Sequence, residues 1–115
     1  MNDHPTPMSA PVHPAPVHLA PVPPGADFSK GAAYVNGSYV PAGEASISIM
    51  DWGFGKSDVT YDVVHVWGGA FFRLDHHLTR FEKSMAGLRM SLPHDRDGIA
   101  RILTDCVRLS GLREA

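Results

Sequence analysis

The groups in this 115-residue sequence with the most evident chemical potential lie on a helix predicted to begin near Asp75. This helix carries the pair His76-His77 and, three residues later, Arg80. Adjacent side chains on a helix point about 100° apart and cannot chelate one ion together, so no metal site is predicted. Arg80 lies off the apolar stripe beside small residues. Its spacing is typical of a solvated arginine, although its length would let it reach across those small neighbours to the sheet.

The common templates for covalent catalysis are absent from the sequence. It contains no G-x-S-x-G segment, no phosphate-binding P-loop and no cysteine pair with zinc spacing. The three lysines, Lys30, Lys56 and Lys83, lie outside the apolar surroundings that activate a lysine for Schiff-base chemistry. Residue types alone therefore identify no catalytic group.

A strand predicted over residues 59–67 offers a candidate binding surface. Its residues are β-branched or aromatic almost throughout, and successive side chains of a strand point to opposite faces. One face would carry Tyr61, Val63, His65 and Trp67, and the other Thr60, Asp62, Val64 and Val66. The first face mixes polar and aromatic groups, which fits either a half-solvated sheet surface or the wall of a pocket.

Two hairpins are predicted around this strand. Asn36-Gly37 is a strong turn signal between short strands at 33–35 and 38–40, because both residues tolerate a positive φ. Gly68-Gly69 turns the chain from residues 59–67 into a partner strand at 70–74.

The segment between the hairpins is predicted to contain one more strand and a loop. Ile47 and Ile49 alternate with serines in the pattern of a half-buried strand. Residues 51–58 hold two glycines with polar flanks and are predicted to form a loop.

Two helices follow the strands. Asp75 is placed to cap the first, which is predicted to run to about Met90, with a core stripe of Leu78, Phe81, Met85 and Leu88. Asp95 or Asp97 begins the second and Gly111 ends it, with an apolar face of Ile99, Ile102, Leu103, Cys106 and Leu109. The order of elements predicts a small two-layer α+β domain, in which two helices cover one side of an antiparallel or mixed sheet.

The first 27 residues differ in composition from the rest. Eight of the ten prolines lie between Pro5 and Pro24, and the segment is otherwise rich in Ala, Val and His. Such a segment buries too little apolar area to offset its ordering, so residues 1–27 are predicted to be a disordered tail. Its P-x-x-P spacings and its histidines (His4, His13 and His18) are weak signals for ligand or metal binding. Residues 28–115 are predicted to form one domain.

Charge and cysteine content exclude several classes of partner. Ten Lys and Arg against twelve Asp and Glu give a net charge of -2, so neither nucleic acid nor an anionic membrane surface is expected to bind. No run approaches the roughly 18 apolar residues of a membrane span. The single cysteine, Cys106, is expected to be a buried reduced thiol, which fits a cytoplasmic location.

Three ordered segments carry a family resemblance. AYVNGSYVP (33–41), ISIMDWGFGKSDVTYDVVHV (47–66) and FRLDHHLTRF (72–81) resemble the class IV pyridoxal-phosphate aminotransferases over about residues 28–115. The second segment is most similar to the subgroup of (R)-selective amine transaminases, followed by branched-chain and D-amino-acid aminotransferases. The resemblance implies that pyridoxal 5'-phosphate binds between this N-terminal domain and a larger C-terminal one, in a homodimer that completes the active site.

The same resemblance assigns roles to individual residues. Arg80 matches the arginine of an H-L-x-R motif that binds the cofactor phosphate, while Tyr61 and Val63 match positions that line the substrate pocket. Lys56 stands where relatives often have His or Arg and would border the pocket mouth, but it does not match the Schiff-base lysine. That lysine is expected beyond the end of this chain.

Two functions are compatible with these features. In the first, the chain is the N-terminal fragment of an aminotransferase that moves an amino group between an amine or amino acid and a 2-oxo acid, inactive on its own. In the second, it is a non-catalytic remnant or interaction module that keeps the dimerisation surface. In either case, a domain shaped to pack against other domains is expected to expose apolar patches.

Overall fold

The computed structural model of this chain describes residues 22–115. Within that range the chain folds into a small α+β domain of short antiparallel strands and three α-helices, which confirms the predicted class. The predictions for the proline-rich segment, including His4, His13 and His18, lie outside the described residues except at positions 22–27.

The first hairpin forms as predicted. Strand β1 (Ala32–Val35) pairs with β2 (Ser38–Pro41), and the turn residues Asn36 and Gly37 have φ of 51° and 82°. Both values lie in the left-handed region that Asn and Gly adopt most readily, as a type I′ turn requires. Tyr34 faces Tyr39 across the ladder, with ring centroids 5.1 Å apart.

The second hairpin is shorter than predicted. Strand β3 (Val66–Trp67) pairs with β4 (Ala70–Phe71) through the glycine turn at 68–69. The last residues of the chain pair with the outer side of β3: Val66 and Ala115 exchange two backbone hydrogen bonds of 2.7 and 3.1 Å. Val66 and Phe71 of this short ladder also pack against the helical residues Leu74, Leu78 and Ala100.

The prediction of one sheet with at least five strands is wrong, because the described residues form two separate two-stranded sheets. Ile47 and Ile49 lie in no strand and are 67% and 76% exposed. Residues 59–65 also lack regular structure, although their exposure still alternates. An alternating pattern sets which side chains point inward, but a strand also needs a continuous backbone ladder. Within residues 22–115 neither segment forms one, and the single bond from the Phe72 amide to the His65 carbonyl (2.8 Å) only continues the second hairpin by one residue.

The predicted loop at 51–58 contains a short helix, α1 (Trp52–Lys56). Asp51 caps it, because its Oδ2 accepts a hydrogen bond of 2.8 Å from the Gly53 amide. Ser57 ends the helix in the left-handed conformation. The two glycines obscured this element in the sequence because glycine disfavours helix, while the capping aspartate was the signal in its favour.

Helix α2 (Leu74–Gly87) begins before the predicted cap and ends before Met90. Arg73, in the left-handed region at φ 55°, occupies the N-cap position without a side-chain cap bond, and Asp75 lies in the first turn instead. At the other end, Leu88 stops the helix and is 45% exposed, so it does not belong to the core stripe.

Helix α3 (Arg96–Ser110) has the predicted boundaries. Asp95 is the cap, since its Oδ1 accepts a hydrogen bond of 2.8 Å from the Gly98 amide, and Gly111 ends the helix at φ 71°. The predicted apolar face omitted Val107, which packs against the core together with Ile99 and Leu103.

The core lies between the second hairpin and the two long helices. Its buried members are Val66, Phe71, Leu74, Leu78 and Ala100. Cys106 is partly rather than fully buried, and burial raises the pKa of its thiol to about 11.

A polar contact joins the first hairpin to α3. The Tyr39 hydroxyl donates a 2.7 Å hydrogen bond to Oδ2 of Asp105, and Arg108 donates a 2.8 Å bond to Oδ1 of the same carboxylate. Asp105 is only 2% exposed. A buried carboxylate is costly without hydrogen-bond partners, so the bond between Tyr39 and Asp105 fixes the position of the first hairpin on α3.

Leu74→Ala is expected to lower the free energy of unfolding by about 2–5 kcal/mol, because Leu74 is fully buried at the centre of the core and its loss leaves a cavity. Urea titration followed by far-UV circular dichroism measures this. Leu92→Ala, at a 47% exposed position, should change the value by less than about 0.5 kcal/mol. Equal effects of the two substitutions would contradict this description of the core.

Candidate functional site

The candidate site is organised around Asp62, in the irregular segment that leads into β3. Tyr61 and Val63 on either side of it are exposed, whereas the Asp62 side chain is only 11% exposed. The alternation predicted from the sequence is therefore retained in burial even though no ladder forms there. It turns the Asp62 carboxylate inward, toward helix α2.

Arg80 and His77 of α2 converge on this carboxylate. Arg80 donates two hydrogen bonds of 2.7 Å, from Nε to Oδ2 and from Nη2 to Oδ1. Nδ1 of His77 lies 2.8 Å from Oδ1, and the backbone amide of Val63 donates to the same oxygen at 2.8 Å. Because residues three apart on a helix share a face, His77 and Arg80 reach one partner together.

These bonds determine the protonation of the cluster. Hydrogen bonds from Arg80, then from His77, hold the pKa of Asp62 well below its usual range, so the carboxylate is ionised at neutral pH. The same contact raises the pKa of Arg80. Nδ1 of His77 also lies 3.2 Å from Nη2 of Arg80, but the shorter 2.8 Å contact with an ionised carboxylate favours the tautomer in which Nδ1 carries the hydrogen and donates it to Asp62.

An apolar cavity of about 200 Å³ adjoins the cluster. Asp62 and His77 supply its polar side, and the rest of its lining is Val64, Leu74, Leu78, Phe81, Ile99 and Leu103. Ligand pockets are usually about 300–1,000 Å³, so this cavity is small for one and serves here only to mark the apolar side of the cluster.

The remaining predicted site residues lie on the surface. Tyr61 and Val63 are 79% and 69% exposed, and Lys56 is exposed at the end of α1. No hydrogen bond or ion pair recorded among residues 22–115 joins them to Arg80. The structure thus brings Arg80 into a polar cluster and leaves the other three facing solvent.

The guanidinium of Arg80 has the chemistry to hold a phosphate. Its side chain is 65% exposed, and Asp62 occupies only its Nε and Nη2 positions. No hydrogen bond from Nη1 is found within the described part of the chain, so that nitrogen can donate to an added anion. Guanidinium groups bind phosphate oxygens through such charge-assisted bonds.

Sequence reasoning missed Asp62 and His77 as members of the site. It placed Asp62 only on the strand face opposite Tyr61 and Val63, and it considered His77 only as a metal ligand. The available signal was the spacing of three between His77 and Arg80, which places an imidazole and a guanidinium on one helix face. The pairing with Asp62 across the fold could not be seen from spacing.

Residues 22–115 contain no group of three or more His, Cys, Asp or Glu residues arranged to hold a metal ion. None of their helices is both long enough and apolar enough to cross a membrane.

Comparison with known proteins places the cluster in a matched region. Residues 60–115, which include Asp62, His77 and Arg80, match the family described as amino-transferase class IV. A D-alanine aminotransferase of Listeria monocytogenes is 29% identical over 73 residues, covering 64% of this chain and 25% of that protein.

Two further relatives extend the comparison. A Methanocaldococcus jannaschii protein provisionally named as a branched-chain-amino-acid aminotransferase is 26% identical over 82 residues, 71% of this chain and 28% of that protein. A chloroplastic D-amino-acid transaminase of Arabidopsis thaliana is 37% identical over 54 residues, 47% of this chain and 14% of that protein. The chain therefore spans about a quarter or less of the length of these curated relatives.

Asp62→Asn is expected to lower the free energy of unfolding at neutral pH, because the ionised carboxylate has three partners that an amide cannot all satisfy. The folded-state pKa of Asp62 is depressed, so its contribution is present above the unfolded value of about 3.9 and is lost as the pH falls below it. Urea unfolding of parent and variant from about pH 7 to about pH 2.5 measures this.

The difference between parent and Asp62→Asn should be largest near neutrality and should shrink below about pH 4. Asp58→Asn makes the same change of charge at an exposed position nearby and should have little effect at neutral pH. A difference for Asp62→Asn that stayed constant down to the lowest pH would contradict the assigned ion pair.

Proposed function

Because residues 60–115 match the class IV aminotransferase family, we propose that residues 28–115 are the N-terminal domain of a pyridoxal-5'-phosphate aminotransferase. The observation that carries this proposal is the position of Arg80 within the matched region. Its guanidinium is exposed, is fixed at one edge by Asp62, and has Nη1 available for an anion. Arg80 would hold the phosphate of pyridoxal 5'-phosphate.

The proposed reaction moves an amino group between an amine or amino acid and a 2-oxo acid. Bound pyridoxal 5'-phosphate would supply the electron sink for this chemistry. In this proposal the exposed side chains of Tyr61 and Val63 line the substrate pocket and Lys56 borders its mouth. Their exposure supports the proposal, since a pocket wall must be accessible before another domain or subunit covers it.

We propose that none of this chain's lysines is the Schiff-base lysine. Lys30, Lys56 and Lys83 are all exposed to solvent, and none has an ion pair or side-chain hydrogen bond recorded in the described structure. A lysine is activated for Schiff-base chemistry by apolar surroundings or a neighbouring cation, and these exposed positions provide no apolar surroundings. The catalytic lysine would then come from a region that this sequence does not contain, and the isolated chain would not catalyse transamination.

The proposal also includes a homodimer and a cytoplasmic location. The homodimer is supported by a stretch of the chain with many exposed apolar side chains. We call residues 47–63 the apolar segment. Its large exposed apolar side chains are Ile47, Ile49, Met50, Trp52, Phe54, Val59, Tyr61 and Val63. They are 58–81% exposed. Exposed apolar surface of this kind marks an interface.

The proposed cytoplasmic location rests on the cysteine content. The single free thiol of Cys106 is compatible with a reducing compartment.

The apolar segment also favours the second candidate function, a non-catalytic module that associates through this surface. The two candidates differ in the reading frame that follows codon 115. A continuation encoding a second domain with the lysine would favour the aminotransferase, whereas its absence would favour the module.

Arg80→Ala is expected to weaken the binding of pyridoxal 5'-phosphate by roughly 30-fold or more, because it removes a charged contact to a dianion. Arg80→Lys should recover only part of the affinity, since a point charge does not reproduce the planar fork. Fluorescence titration of the purified chain measures the affinity, with pyridoxal, which lacks the phosphate, as the control ligand.

Arg101→Ala, at an exposed position of α3, should leave the affinity within about twofold and serves as the matched control. Absence of saturable binding by the parent, or equal affinities of the parent and Arg80→Ala, would refute the role proposed for Arg80.

The apolar segment generates a separate expectation. Trp52→Ser and Phe54→Ser should reduce the binding of a hydrophobic dye and the self-association of the chain, because both side chains are about 70% exposed. Analytical ultracentrifugation and dye fluorescence measure the two effects. Leu92→Ser, at an exposed position outside the segment, is the control, and an equal loss of association there would assign the interface elsewhere.

A further inference from the structure

We infer that Asp62 is a positioning residue for the anion site: it holds the guanidinium of Arg80 by the Nε and Nη2 edge and so directs Nη1 toward the incoming phosphate. This inference rests on the proposed function, because it assigns a role to Asp62 only if Arg80 binds a phosphate. It adds a residue of this chain that would not itself contact the ligand.

The first support is the way in which Asp62 is itself held. Its Oδ1 accepts bonds from the Val63 amide, from Nδ1 of His77 and from Nη2 of Arg80, all between 2.7 and 2.8 Å. The carboxylate is 11% exposed, so it has little freedom to turn toward water. A carboxylate fixed from the main chain and from a neighbouring histidine can impose an orientation on a third group.

The second support is the contrast between Asp62 and Arg80. The Arg80 side chain is 65% exposed and would otherwise sample many rotamers. Ordering such a side chain on binding an anion weakens the affinity roughly tenfold or more. A two-bond contact at Nε and Nη2 removes much of that disorder before the anion arrives.

The opposing effect is charge neutralisation, because the Asp62 carboxylate also repels a phosphate. At this exposed guanidinium the repulsion acts through solvent and is screened by salt, with a Debye length of about 8 Å at physiological ionic strength. Orientation does not depend on salt. Removal of the carboxylate should therefore weaken phosphate binding if orientation dominates, and should tighten it or, at high salt, leave it unchanged if repulsion dominates.

The test is a double-mutant cycle between Asp62→Asn and Arg80→Ala, read by titration with pyridoxal 5'-phosphate at about 0.15 and 0.5 M salt. We expect Asp62→Asn to weaken binding roughly five- to tenfold at both salt concentrations, to have no effect in the Arg80→Ala background, and to leave the binding of pyridoxal unchanged. Asp62→Glu should restore part of the affinity, and Asp58→Asn should match the parent.

The outcomes separate the two proposals. If Arg80→Ala weakens binding but Asp62→Asn leaves it unchanged or tightens it, the positioning role is overturned and the proposed function stands. If Asp62→Asn weakens binding equally with and without Arg80, Asp62 has only a structural role. If Arg80→Ala has no effect, the proposed function fails first.

A ligand-free measurement keeps the inference testable even if binding is weak. In a ¹H–¹⁵N spectrum of the parent, the Nε–H signal of Arg80 should exchange more slowly with water than that of the exposed Arg89. Asp62→Asn should remove this protection. An Arg80 signal as labile as that of Arg89 in the parent would show that Asp62 does not hold the guanidinium in solution.

Discussion

The arrangement of the site depends on the hydrogen bonds that the ionised carboxylate of Asp62 accepts. Asp62 lies in a segment without regular hydrogen bonding, where the backbone alone would not fix the path of the chain. Three donors, the Val63 amide, His77 and Arg80, compensate its partial burial and attach this segment to α2. With this segment held in place, the Val64 side chain packs against the core cluster that includes Leu74 and Leu78.

A similar arrangement holds the other side of the domain. Asp105 is more deeply buried than Asp62 and uses Tyr39 and Arg108 as partners, which attaches the first hairpin to α3. In both cases a carboxylate joins a short β element to a helix. Two-stranded ribbons of two to four residues are marginal alone, so these polar contacts supplement a core with few fully buried side chains.

The elements that the sequence predicts well are those determined by local chemistry. The Asn36-Gly37 turn, the Asp95 cap and the Gly111 stop each depend on one or two residues and form as expected. The sequence predicts too many strands, because the alternation at 47–49 and 59–65 specifies which face each side chain lies on but does not specify a backbone ladder with another strand. Arg80 was found through resemblance to a family, whereas its partner Asp62 lies 18 positions away and becomes visible only when the fold brings them together.

The placement of the two tryptophans has a spectroscopic consequence. Trp52 and Trp67 are the only indoles of the chain and are 70% and 68% exposed, so both emit from a largely aqueous environment in the folded monomer. Unfolding would therefore change their emission wavelength little. Covering the apolar segment by another protein surface would instead move Trp52 into an apolar environment, and a blue shift would report assembly rather than folding.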